Sequence, residues 1–304
     1  LNKFYTKKDG YSSFAFAILT FLIVQVALSL MLTPEDQQNG TFIFWLCNGL
    51  LSISIGLIAF SYAKLNKKDF FAATTANKKP PISHVLWGCL AVAGLIHFMT
   101  PINNWLCDFI EHIGLSRPSV DLPLQVVPLI IVACIFPAIT EEFLFRGTVG
   151  MGFVNGATKK WKSIVASGAL FALFHLNPAQ TIHQFVLGCF LMTLTYRSGS
   201  IWTACIAHFF NNFVVVLLSV LVPDSFYIDN DVIICIVGGV VFGLAVFGYF
   251  ATTKCKGTMS VESQKCQEYL NDVYGKSKNG GGETAGFVVA VVVCVLIWTL
   301  MLFV

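Results

Sequence analysis

Polar and apolar positions divide the chain of 304 residues into long apolar stretches joined by short polar connections. A helix that crosses a bilayer needs about 20 mostly apolar residues. Stretches of this kind lie near 13–32, 42–63, 84–100, 126–149, 163–176, 182–196, 201–222, 232–251 and 286–304, the fifth and sixth of them short. The expected fold is all-α, a polytopic membrane bundle of about nine transmembrane helices. The first stretch lacks a small-x-small cleavage site, so it is expected to remain as a membrane helix rather than be removed as a signal peptide. No internal repeat is visible, and with an odd span count this speaks against the repeat-built transporter folds.

Composition then names the solvent. Hydrophobic residues make up 56% of the chain and charged residues only 12%, against roughly 25% charged in an average soluble domain. That is too little charge to clothe a surface in water, which leaves the lipid bilayer as the partner of most of it. The formal net charge of +3 comes with no basic run interleaved with aromatics, so no nucleic-acid partner is expected. The 10 cysteines fall mostly one to an apolar segment and form no CxxC pair, which indicates neither a disulfide framework nor a cysteine zinc site.

Charge placement orients the chain. With nine spans and a cytoplasmic N-terminus, every one of the 19 Lys and Arg residues except Arg117 falls on the cytoplasmic side. Glu35, Asp36, Asp108, Glu111, Asp121, Asp224, Asp229 and Asp231 mark the opposite side. Three regions are expected: N-terminal helices over 1–125, core helices over 126–222, and C-terminal helices over 223–304 with a flexible cytoplasmic loop at 252–285. Gly239 and Gly243 form a GxxxG pattern read as a helix-packing site.

Against this background the polar residues inside the spans stand out, because an ionisable group at a helix centre costs about 2.5–3.5 kcal/mol on the insertion scale. The fourth span holds Glu141, Glu142 and Arg146, the fifth Phe171 and His175, and the seventh His208, Asn211 and Asn212. Glu142 and Arg146 are i and i+4, one above the other on a helix, and are read as a salt bridge that supports the site. Glu141 points about 100° away. His208 and Asn212 are again i and i+4, whereas Asn211 points away from His208 and is left out. At 1.5 Å per residue, Glu141, His175, His208 and Asn212 lie about 13, 20, 12 and 18 Å below the cytoplasmic surface. On neighbouring helices they would face one cavity, where carboxylate and imidazole can activate a water while imidazole and amide hold an oxyanion. Phe171, Asn177 and Gln180 are candidates for lining that cavity. His84, His97, His112 and His183 are read as structural or interfacial.

These residues resemble the CAAX-protease and bacteriocin-processing (CPBP, or Abi) family of intramembrane endopeptidases, related to the Ras-converting CAAX prenyl endopeptidase. The family's EExxxR, FxxxH and HxxxN motifs occur in order as Glu141-Glu142 with Arg146, Phe171 with His175, and His208 with Asn212. The resemblance covers about 126–220. It implies a glutamate-dependent protease without a cofactor, in which Glu141 and His175 activate water, His208 and Asn212 stabilise the oxyanion, and Glu142 and Arg146 hold the architecture. It also implies peptide or protein substrates at the membrane, lipidated or not, approached from the cytoplasmic side, with a prokaryotic plasma membrane as the expected location. Two other readings stay open. A zinc metalloprotease could use Glu141, His175 and His208 as ligands, although no HExxH pattern is present, and a non-catalytic membrane scaffold or immunity protein could keep the cavity for binding. Oligomeric state is not legible in the sequence.

Overall fold

The computed structural model describes residues 4–116, 125–156, 160–222, 224–256 and 281–303. Lys3, Arg117, Asp121, Lys159 and the stretch 257–280, which holds most of the expected cytoplasmic loop, lie outside the described residues. Among the described residues the structure is helical and contains no strand. Its long helices are α1 (Lys7–Ser29), α2 (Phe42–Leu65), α3 (Ile82–His112), the composite α4 (126–156), α5 (Lys160–Phe174), α6 (Thr181–Ser198), α7 (Ile201–Leu221), α8 (Asp224–Thr252) and α9 (Gly281–Leu300).

Local chemistry sets several of the boundaries. Thr6 caps α1 in a reciprocal pair with Asp9. Thr33 and Asp36 make the same pair on the short helix Pro34–Asn39, which has proline in its first turn and ends at Gly40 with φ +59°. The last helix begins at Gly281, inside the glycine run expected to be loop, so its start comes earlier than the apolar pattern alone suggests.

Six helices among the described residues are long and apolar enough to cross a membrane: Lys7–Ser29, Phe42–Leu65, Ile82–His112, Val126–Asn155, Ile201–Leu221 and Asp229–Thr252. The expected count of about nine is therefore met in part. The α5 helix has 15 residues, α6 carries His183, Gln184 and Arg197 among its apolar residues, and the apolar part of the last helix, Thr284–Leu300, is shorter than the six. Both α5 and α6 bury much of their surface against other helices, so their composition answers to protein neighbours as much as to lipid. The outward faces are apolar instead: Leu19, Ile23 and Val26 on α1, Leu46, Leu50 and Leu57 on α2, and Ile233, Val237, Val240 and Phe247 on α8 are all exposed. Apolar exposure on that scale fits a lipid face.

Two apolar cores flank the middle of the bundle. One joins Phe14, Ile18, Ile55, Phe143, Phe145, Phe171 and Phe174 from α1, α2, α4 and α5. The other joins Ala91, Leu95, Leu187, Leu191, Ala204 and Tyr249 from α3, α6, α7 and α8. His84 belongs to the second, its Nδ1 3.0 Å from the Tyr249 hydroxyl. The loops sort to two ends. At one, Lys68 pairs with Asp9 at 2.9 Å, Asn155 donates to the Tyr5 carbonyl, Trp202 donates to the Ala76 carbonyl, and the Lys256 N–H donates to the Arg197 carbonyl. At the other, Trp45 donates to Gln125 and Trp105 to Asp231.

Helix α8 lies tightly along α3, but not through the expected glycine pair. A Cβ on Gly94 would meet the Phe242 backbone and one on Gly238 the Phe98 backbone, whereas Gly243 has nothing within 4 Å and Gly239 meets only the Phe98 ring. The close approach is thus made at Gly94 and Gly238, each against the backbone of the other helix, and Gly238 lies one position off the GxxxG pattern. Gly94→Ala is expected to lower stability by about 1–3 kcal/mol through overpacking. Gly243→Ala is expected to be neutral or stabilising, because it gains helix propensity in open space. Thermal unfolding of the two variants side by side checks the pair.

Candidate active site

The acidic motif lies on α4, and this helix is not a continuous α-helix as the apolar pattern suggested. It runs as α over Val126–Leu129, π over Ile130–Ile135, α over Phe136–Glu142, π over Phe143–Gly150 and α again to Gly156. Wide turns of this kind recur at functional sites. Pro137 contributes to the first of them: it has no N–H, so the Ala133 carbonyl loses its α-helical donor at i+4. Within the second π segment, the Thr148 hydroxyl donates to the Phe143 carbonyl five residues back, at 3.1 Å. Thr140 bonds its own helix through the Phe136 carbonyl at 2.8 Å. The two glutamates end the seven-residue α segment between the π segments and therefore still project in different directions.

Glu142 points into the protein, where it and Arg146 are fully buried. Its Oε1 accepts from Arg146 Nη1 at 2.6 Å and from His208 Nδ1 at 2.7 Å. The expected salt bridge is present, and it has a second task that sequence spacing did not expose: it grips the imidazole of α7. A carboxylate on Nδ1–H fixes the ring orientation. Arg146 Nη2 also donates to the Gly188 carbonyl at 3.3 Å. That carbonyl is within reach because α5 and α6 cross at a pair of glycines: a Cβ on Gly188 would lie 2.9 Å from Gly168 Cα. Phe171, itself fully buried, lies under this cluster. The Arg146 guanidinium stands 4.0 Å from its ring centroid, and the His175 and His208 rings pack against it at 4.7 and 5.8 Å, at steep angles. One aromatic ring thus touches a residue from each of the three motifs.

Glu141 points the other way, into a cavity of about 230 Å³ lined by α1, α2, α4 and the end of α5. Its Oε2 is buried and has no hydrogen-bond partner among the described residues. His175 lines the same cavity. It ends α5, and its Nδ1 lies 2.8 Å from the Phe171 carbonyl. A carbonyl only accepts, so Nδ1 carries the hydrogen and the neutral ring offers a lone pair at Nε2. Among the other lining residues are Gln25, Asn48 and Ser52, polar positions on α1 and α2 that lie outside the three motifs, beside Phe21, Leu51, Ile55 and Phe174. Phe171, Asn177 and Gln180, expected to line the cavity, are not among its lining residues. Phe171 lies beneath it, Asn177 caps the turn Pro178–Gln180 by accepting from the Ala179 N–H at 2.8 Å, and Gln180 stands at the start of α6. His208 and Asn212 are not among the lining residues either.

Asn212 Nδ2 donates to the Ala133 carbonyl at 2.8 Å, which ties α7 to the first π segment of α4. Asn211, set aside on the helical wheel, donates from Nδ2 to Asn212 Oδ1 at 2.9 Å. Its own Oδ1 lies 3.2 Å from His183 Nε2. Among the described residues, no group of three or more His, Cys, Asp or Glu side chains is gathered to hold a metal ion.

The segment that carries this arrangement, residues 123–214, matches the family model described as type II CAAX prenyl endopeptidase Rce1-like. The match encloses all three motifs and agrees with the family resemblance drawn from them. The likeness supports, at the family level, a CAAX-type intramembrane protease. No curated protein and no solved structure matches the chain.

Proposed function

We propose that the protein is an intramembrane endopeptidase that hydrolyses peptide bonds of membrane-associated or lipidated substrates with a water activated by Glu141 and His175. The observation that carries this reading is that Glu141, whose buried Oε2 has no hydrogen-bond partner among the described residues, lines the same cavity as His175. A buried acceptor with no partner is costly, and the cost is offset when the group takes a proton or a water during a reaction. The carboxylate removes a proton from water while the oxygen attacks the scissile carbonyl carbon. The tetrahedral oxyanion then collapses, the C–N bond breaks, and the proton taken by Glu141 passes to the leaving amine. His175 Nε2 accepts from the same water and orients it.

His208 and Asn212 on α7 supply the oxyanion donors. Asn212 uses one N–H of Nδ2 on Ala133 and keeps the other. His208 is held for this role by the Glu142 carboxylate, 2.7 Å from its Nδ1. The carboxamides of Gln25 and Asn48 are suited to the backbone of an extended peptide, and the apolar wall to its flanking side chains. The cavity is smaller than the roughly 300–1,000 Å³ of drug-sized sites, so it suits a short stretch of chain.

The test compares the peptides in membranes holding the wild type with those holding Glu141→Gln. Products that appear only with the wild type, and cleavage by the purified protein that withstands a metal chelator, are the expected results. Cleavage lost to chelator and restored by zinc would replace this reading with the metalloprotease. Biological function that persists without cleavage would replace it with the scaffold.

A further inference from the structure

We propose that His183 is a positioning residue for Asn212 and acts through Asn211, an inference that rests on reading Asn212 as an oxyanion donor. Three side chains and one carbonyl form a continuous chain of hydrogen bonds from α6 through α7 to α4. His183 Nε2 lies 3.2 Å from Asn211 Oδ1, Asn211 Nδ2 lies 2.9 Å from Asn212 Oδ1, and Asn212 Nδ2 lies 2.8 Å from the Ala133 carbonyl. An amide oxygen only accepts, so His183 must hold its hydrogen on Nε2. Every donor then points in the same sense along the chain.

That common sense is what fixes Asn212. A free carboxamide can turn over by 180° and exchange its oxygen for its nitrogen. Here the turn would set Asn212 Oδ1 against the Ala133 carbonyl and Nδ2 against the Asn211 amide nitrogen, placing like groups together at both contacts. The far end is anchored because Pro137 has no N–H to offer the Ala133 carbonyl. The near end depends on His183, since without its N–H the Asn211 amide is itself free to turn. His183 does not line the cavity beside Glu141, so replacing it leaves that cavity's walls in place.

The experiment uses the full chain in detergent micelles, labelled with ¹⁵N at asparagine, with Asn212→Ala to assign the Asn212 side-chain amide signals. His183→Phe keeps the ring bulk and removes the donor, and His183→Gln keeps a donor at similar reach. His183→Leu takes the place of the phenylalanine variant if that protein does not accumulate. The expected result is that the Asn212 amide signals move in His183→Phe and return in His183→Gln. In parallel, kcat should fall about tenfold, the equivalent of one lost hydrogen bond in the transition state, with KM unchanged, and recover in His183→Gln. Unmoved Asn212 signals would overturn the proposal whether or not the protein cleaves peptides. So would a loss carried by KM, or one that His183→Gln does not restore. Hydrolysis that survives Glu141→Gln would instead overturn the reading of the site, while the amide signals still decide whether His183 holds Asn212.

Discussion

Glu141→Gln is expected to lower peptide hydrolysis by about 10²- to 10⁴-fold, the contribution of a positioned general base, with no loss of folded protein. The two side chains have nearly the same shape, and the difference lies in the proton: an amide cannot take one from water. In most buried sites such a change also breaks a hydrogen bond and confuses catalysis with stability. Here the Glu141 Oε2 atom has no partner among the described residues, so no bond to that oxygen is lost. Replacing a buried carboxylate by a neutral amide also removes a desolvation cost, and thermal stability should hold or rise slightly. Initial rates and thermal midpoints measured on the same preparations check both halves. A variant that loses activity and stability together would show that Glu141 supports the fold instead.

Arg146→Ala is expected to have the opposite profile, a loss of about 3–5 kcal/mol of stability, as when one partner of a buried ion pair is removed. The substitution leaves the Glu142 carboxylate buried with only His208 beside it, frees the Gly188 carbonyl, and removes the cation from the Phe171 face. Arg146→Lys should restore little, because an ammonium cannot reach Glu142 and Gly188 together in the planar geometry of a guanidinium. Removing both charges with Glu142→Leu and Arg146→Met should recover much of the stability. Activity should not return with it, since His208 then has no carboxylate on Nδ1. Recovery of folded protein after extraction, set beside hydrolysis, separates the ion pair's part in folding from its part in orienting the imidazole.

Much of this arrangement could be read from spacing. A pair at i and i+4 meets on a helix wherever the helix lies, so the Glu142–Arg146 contact followed from the sequence alone, as did the isolation of three charged side chains in apolar spans. What escaped depends on neighbours. The π segments of α4 carry no periodic signature, and only Pro137 hints at the first. The wheel argument set Asn211 aside because it considered one helix, while the partner that gives Asn211 its place, His183, is on another. Gln25 and Asn48 reach the cavity from helices more than eighty residues away from Glu141 in sequence, beyond the reach of any local pattern. The GxxxG spacing of Gly239 and Gly243 marks a packing site but not its register: Gly238 is adjacent to Gly239, and which of them lies tight against α3 is set by packing.

The Phe171 ring beneath the cluster has a further consequence. Arg146, His175 and His208 are three basic side chains gathered in one small region of a medium that screens poorly. The ring is a neutral surface common to all three: its electron-rich face attracts the guanidinium, and the two imidazoles pack against it at steep angles. A single aromatic residue is therefore the shared floor on which three helices set a permanent cation and two imidazoles side by side.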